Sequence, residues 1–173
     1  IIGDGNTVGG GEGNDTIHVT GDGNTADGSW NNDSITIHGG QSNIAIGGHG
    51  NDIIRVAGDG NVAFGGSGSD TLIVSDSNNV LHGDDGNDVL YAAGSVSNVE
   101  MYGGAGADEI WMEMTTDSFA YGGDGDDFIS GDSQTWETGN TFDGGAGNDT
   151  LQNHGNDDNT TFIGGEGNDL VRS

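Results

Sequence analysis

The fold class this sequence predicts is all-β: a parallel β-solenoid of about nine coils. Three observations predict it. A Gly-rich string ending in Asp recurs nine times, with successive starts 18 to 22 residues apart. The sixth slot of the string is always Asp and the eighth always aliphatic. Behind each Asp, apolar residues alternate, as in Ile17 and Val19, Ile54 and Val56, or Leu72 and Val74. That period of two puts one face of a short strand in a core, and a fixed internal period of this length marks stacked repeats.

The first element of each unit is the Gly-rich turn. The strings read GGEGNDTI, GSWNNDSI, GGHGNDII, GGSGSDTL, GDDGNDVL, GGAGADEI, GGDGDDFI, GGAGNDTL and GGEGNDLV, beginning at Gly10, Gly28, Gly47, Gly65, Gly83, Gly103, Gly122, Gly144 and Gly164. Glycine lets the backbone turn through conformations closed to residues with a Cβ and lets carbonyl oxygens point inward. Next comes the Asp, at Asp15, Asp33, Asp52, Asp70, Asp88, Asp108, Asp127, Asp149 and Asp169. The strand behind it buries Ile17, Ile35, Ile54, Leu72, Leu90, Ile110, Ile129, Leu151 and Val171. A second turn carries Asn at Asn6, Asn24, Asn43, Asn61, Asn79, Asn98, Asn140 and Asn159, with Asp117 once in its place. The second strand is apolar two residues before each new string, from Val8 and Ala26 to Phe142 and Phe162. Strands this short are not stable alone. Stacking one unit on the next pairs their backbones and closes a thin core. At roughly 4.8 Å per level, nine levels span about 40 Å. The absence of Pro suits strands whose every N–H is needed by the next coil. Residues 1–173 are expected to form this single domain. With no signal peptide before Ile1, the chain is expected to be a fragment of a larger protein.

Charge decides what else the fold requires. Two Lys and Arg stand against 29 Asp and Glu, a formal charge of −27. Nucleic acid and anionic membrane surfaces are excluded as electrostatic partners, because there is no basic patch. No apolar run approaches a membrane span. With no Cys there is neither a disulfide framework nor a thiolate metal site. Low hydrophobicity with this charge describes a chain that stays unfolded unless something positive joins it. Stacking places each Asp beside the Asp of the next coil, and such like charges repel strongly. A hard divalent cation between coils relieves this. Calcium takes six or more carboxylate and carbonyl oxygens, which these turns offer; magnesium wants a rigid octahedron, and zinc wants His or Cys, none of which is in register. Nine turns leave eight gaps. Up to eight Ca2+ would add 16 charges and bring −27 to −11.

The strings resemble the nonapeptide G-G-x-G-x-D-x-U-x of the RTX (repeats-in-toxin, hemolysin-type) calcium-binding β-roll family, U being a bulky apolar residue. The resemblance covers nearly the whole chain. It implies calcium held between stacked turns by the nine slot-six aspartates. Turn carbonyls would join them: Gly11, Gly13, Gly48, Gly50, Gly66, Gly68, Gly104, Gly106, Gly123, Gly125, Gly145, Gly147, Gly165 and Gly167. It also implies a structural module of a large secreted protein, extracellular or on the cell surface of a Gram-negative bacterium, exported through a type I channel and folding on calcium outside. Two departures stand out. The acidic motif recurs about every 18 residues rather than every nine, so calcium is expected along one edge and an Asn ladder along the other. In GSWNND, Trp30 and Asn31 replace a small residue and a Gly, which puts the flanking calcium sites in question.

The remaining residues suggest no enzyme. His18, His38, His49, His82 and His154 form no spaced ligand pair, no Ser sits in GxSxG, and the Gly-rich strings lack a phosphate-binding Lys. Two outward stripes run mid-solenoid, one of Ile46, Phe64, His82, Tyr102 and Tyr121, the other of Ile73, Tyr91 and Trp111. They fit stacking between coils, or contact with the parent protein or a glycan. A ligand-binding adhesin solenoid, for carbohydrate or ice, is the alternative. Slot three, which reads Glu12, Trp30, His49, Ser67, Asp85, Ala105, Asp124, Ala146 and Glu166, has no Thr row for ice.

Overall fold

The computed structural model describes residues 1–131, 138–154 and 159–172. Two parallel nine-stranded sheets make up the molecule, with no helix among the described residues. One sheet takes the strands that follow the Asn turns, beginning Thr7–Gly11, Thr25–Trp30 and Ile44–His49 and ending Thr161–Glu166. The other takes the strands behind each Asp, from Thr16–Val19 and Ser34–His38 to Leu170–Arg172. Each strand pairs with its own equivalents one unit away, so repeat positions fall in straight rows: Ala26, Ala45 and Ala63, or Ile35, Ile54 and Leu72. The predicted parallel solenoid of nine levels is therefore the observed fold. A short extra pair, Val96–Ser97 with Thr115–Thr116, lies on the Asn edge.

The core is one file of side chains between the sheets. All of the slot-eight aliphatics from Ile35 to Leu151 are fully buried. Opposite them the first sheet offers Ala26, Ala45, Ala63 and Ala120, small residues that let the sheets approach. The file is not of even width: Met101 shares its level with Met112, while Ala120 shares its level with Gly131. Leu81 shares its level with Ala92, and Phe142 reaches across to Gly131, where an added Cβ would lie 3.2 Å from the ring. A large side chain of one level thus fills the space that small residues leave at the next.

The Asn edge differs from the prediction at three levels. The ladder itself is there: the backbone N–H of Asn6, Asn24, Asn43 and Asn61 donates to the Oδ1 of the next Asn, at 2.8–2.9 Å. Asn98 and Asp117 are not in it. They sit one residue too early, exposed and with positive φ, and the rungs belong to the buried Val99 and Ser118. At the ninth level the register places Thr160, not Asn159, opposite Asn140. From Asp to rung these turns run 10 or 11 positions against 9 or 10 in the early ones, and the Asn or Asp nearest the expected place falls one residue before the rung.

Two substitutions separate rung from loop. Asn43→Ala strips the acceptor from a buried N–H and should cost about 1–3 kcal/mol. Asn98→Gly keeps the positive φ, touches no rung and should stay within about 0.5 kcal/mol. Denaturant unfolding in saturating calcium measures both, and equal losses would contradict the assignment.

Candidate metal centre

The acidic turn has the same backbone at every level. Slots two and four take positive φ, as at Gly48 (109°) and Gly50 (127°), which favours glycine. Three residues hold that conformation without being glycine: Ser29 (80°), Asn31 (72°) and Asp84 (74°). Sequence inspection picked out Asn31, but Ser29 and Asp84 at slot two escaped it. This backbone aims carbonyls at the neighbouring level. A Cβ on Gly66 would strike the Gly48 carbonyl oxygen, one on Gly68 that of Gly50, and one on Gly147 that of Gly125. The glycines singled out in the sequence thus lie at slots two and four, and from the third level upward their approach to the level below leaves no room for a side chain.

The slot-six aspartates form one continuous row. The N–H of each donates to Oδ1 of the next, at 2.7–2.8 Å from Asp15 through Asp127 and at 3.1 Å from Asp149 to Asp169. This rung is identical to the Asn rung on the opposite edge. The second side-chain atom makes the difference. Asn43 Nδ2 donates to Asn61 Oδ1, Asn61 Nδ2 to the Gly58 carbonyl, and Asn140 Nδ2 to the Thr115 carbonyl. An Asp has only an acceptor there. Oδ2 of Asp15, Asp33, Asp52, Asp70, Asp88, Asp108, Asp127 and Asp149 is buried with no hydrogen-bond partner. Moreover, it converges with a second acceptor. Beside Gly47, Asp52 Oδ2 and the Gly65 carbonyl both lie within 2.6 Å of one point, and the pattern recurs up the edge. Two acceptors cannot bond each other; a donor or a cation must stand between them.

Burial pushes six of the row carboxyls, from Asp52 to Asp149, up. Asp70 is raised to about 7, and Asp88, Asp108 and Asp127 to about 6; Asp52 and Asp149 also rise. Desolvation is the main cause, opposed by the rung hydrogen bond and reinforced by neighbouring carboxylates. Among the described residues no three His, Asp or Glu side chains gather as a ligand set. A cation here must draw on backbone carbonyls beside the row carboxylates. That donor set is all oxygen, partly charged and distributed, which fits calcium. The residues present fit the ion.

Other expected features fall elsewhere. His82 stacks between Phe64 and Tyr102, with centroids 4.9 Å apart on each side and planes within 9°. Both faces of His82 are therefore covered by neighbouring levels. Trp111 packs on Phe128 and Trp30 on His49. His18 and His38 meet across levels at 5.6 Å. A second ladder was missed in the sequence: slot-five Asn14, Asn32 and Asn51 each accept from the slot-five N–H above, and Asp126 does so from Asn148. The recurring N of the GND strings was its visible signal.

A family model describing four copies of the RTX calcium-binding nonapeptide repeat matches residues 9–42, 64–95, 92–111, 116–135, 137–152 and 154–172, more than half of the chain. No curated protein sequence matches.

Raised carboxyl pKa values carry a pH dependence for the calcium-free protein. The folded form holds protons that the unfolded chain has released, so stability falls as pH rises from about 4 through about 7. In calcium-free buffer the far-UV β-sheet signal should be stronger at about pH 5 than at about pH 8. An equal or weaker signal at the lower pH would contradict the orphaned-carboxyl geometry.

Proposed function

The chain belongs to the RTX calcium-binding nonapeptide repeat family, and from that premise we propose that it is a calcium-dependent structural module of a larger secreted protein, folding when it meets calcium outside the cell. The observation that carries this is the row of eight buried Asp Oδ2 atoms, each without a donor. Asp15, Asp33, Asp52, Asp70, Asp88, Asp108, Asp127, Asp149 and Asp169 would supply the carboxylates. Slot-two and slot-four carbonyls such as those of Gly48, Gly50, Gly123 and Gly125 would supply the neutral ligands. The ion's role is electrostatic: it offsets charge between stacked carboxylates and bridges adjacent coils.

Calcium binding then becomes folding free energy, because the unfolded chain has no preformed site. Export as an unfolded chain from a low-calcium cytoplasm follows the same linkage. No helix is long and apolar enough to cross a membrane among the described residues. Secretion rests on the family's habit, and the module role on a core that is fully committed to stacking.

Far-UV circular dichroism with chelator against millimolar calcium tests the coupling. The β-sheet signal should appear only with calcium near neutral pH, and identical spectra would end this proposal. Asp70→Asn gives a sharper check. It exchanges the orphaned acceptor for a donor, as on the Asn edge. Calorimetry should count at least one calcium fewer, while the calcium-free form gains stability. A variant that loses stability in chelator and keeps its full calcium count would speak against Asp70 as a ligand.

A further inference from the structure

The eight gaps along the acidic edge are not equivalent. In seven of them, from the second level upward, the slot-one carbonyl of the upper coil and Oδ2 of the lower Asp approach the same point beside the lower slot-one glycine. Gly28, Gly47, Gly65, Gly83, Gly103, Gly122 and Gly144 all show this within 2.6 Å. At Gly10 the nearest atoms are all from the Asp15 side chain, and the Gly28 carbonyl is not among them. The upper coil of that first gap is GSWNND. It alone carries a Cβ at both slot two and slot four, on Ser29 and Asn31. At every higher level a Cβ at slot four would strike the carbonyl below. The Gly11 and Gly13 carbonyls must therefore stand back from their upper neighbours. Asp84 does this at slot two of one other gap, yet Gly86 keeps the slot-four approach and Gly83 O keeps its place beside Gly65.

The hydrogen bonding changes with the shape. From the third level to the eighth, the slot-four N–H donates to the slot-three carbonyl above, as from Gly50 to Ser67 and from Gly147 to Glu166. In the first gap the Gly13 N–H donates instead to Asn31 Oδ1, at 3.0 Å. The Asn31 amide thus reaches down into the space between the coils. Of the eight residues with an orphan Oδ2, Asp15, below it, is the only one that is half-buried and not buried.

We infer that the gap between the first two coils takes no cation, so that Asp15 drops out of the ligand row and seven calcium positions remain rather than eight. This rests on the calcium reading of the row. Counting calcium on the full chain by native mass spectrometry tests it, with Ser29→Gly/Asn31→Gly beside the parent sequence. Both substitutions relieve positive-φ residues, so they favour the fold. Seven ions in the parent and eight in the double variant are expected. Eight in the parent, or the same count in both, overturns the inference. No bound calcium in either chain would instead sink the calcium row itself.

Discussion

Parallel, in-register stacking makes every position of the unit its own neighbour. Whatever side chain a slot carries is repeated at the spacing of paired strands, roughly 4.8 Å. For apolar residues this is favourable, because rows of Ile, Leu and Ala close a core without long-range folding. For buried carboxylates it is the harshest arrangement available, since repulsion and desolvation act together and at each level. The Asp row is the feature around which the remaining structure is organised. Glycine at slots two and four brings carbonyls to the row, and positive φ points them at the gap.

The two edges of the solenoid show how little chemistry separates a structural ladder from a metal site. Both use the same rung, a backbone N–H bonded to Oδ1 of the residue one level on. On one edge the second side-chain atom is an amide nitrogen that finds a carbonyl or a neighbouring Oδ1, and the row is complete within the protein. On the other it is an oxygen facing more oxygen. A neutral edge that is always closed and an acidic edge that closes only with a cation or proton give a fold whose stability depends on its surroundings. The charge of −27 belongs to the same design, for it opposes compaction until calcium offsets part of it.

Outward residues follow the stacking rule as well. Phe64, His82 and Tyr102 cover one another's faces, which makes the stripe a lateral brace of the sheet. The slot-five asparagines tie the acidic turns together outside the Asp row. The molecule is thus held by several parallel files, each cheap to read once the register is known.

The nine-coil solenoid, the inward Ile and Leu file and the Asp row were legible from the sequence, because an invariant residue at an invariant offset survives small changes in turn length. Asn98, Asp117 and Asn159 were misplaced for the opposite reason: the Asn turns vary in length, and an Asn near the expected position is not necessarily the one in the rung. The repeat by itself determined the fold, the edge that gathers charge and the need for something positive. Only the tertiary structure decided which atoms are left without partners and which gap differs, since both depend on carbonyl directions and on contacts between residues some 18 to 22 positions apart.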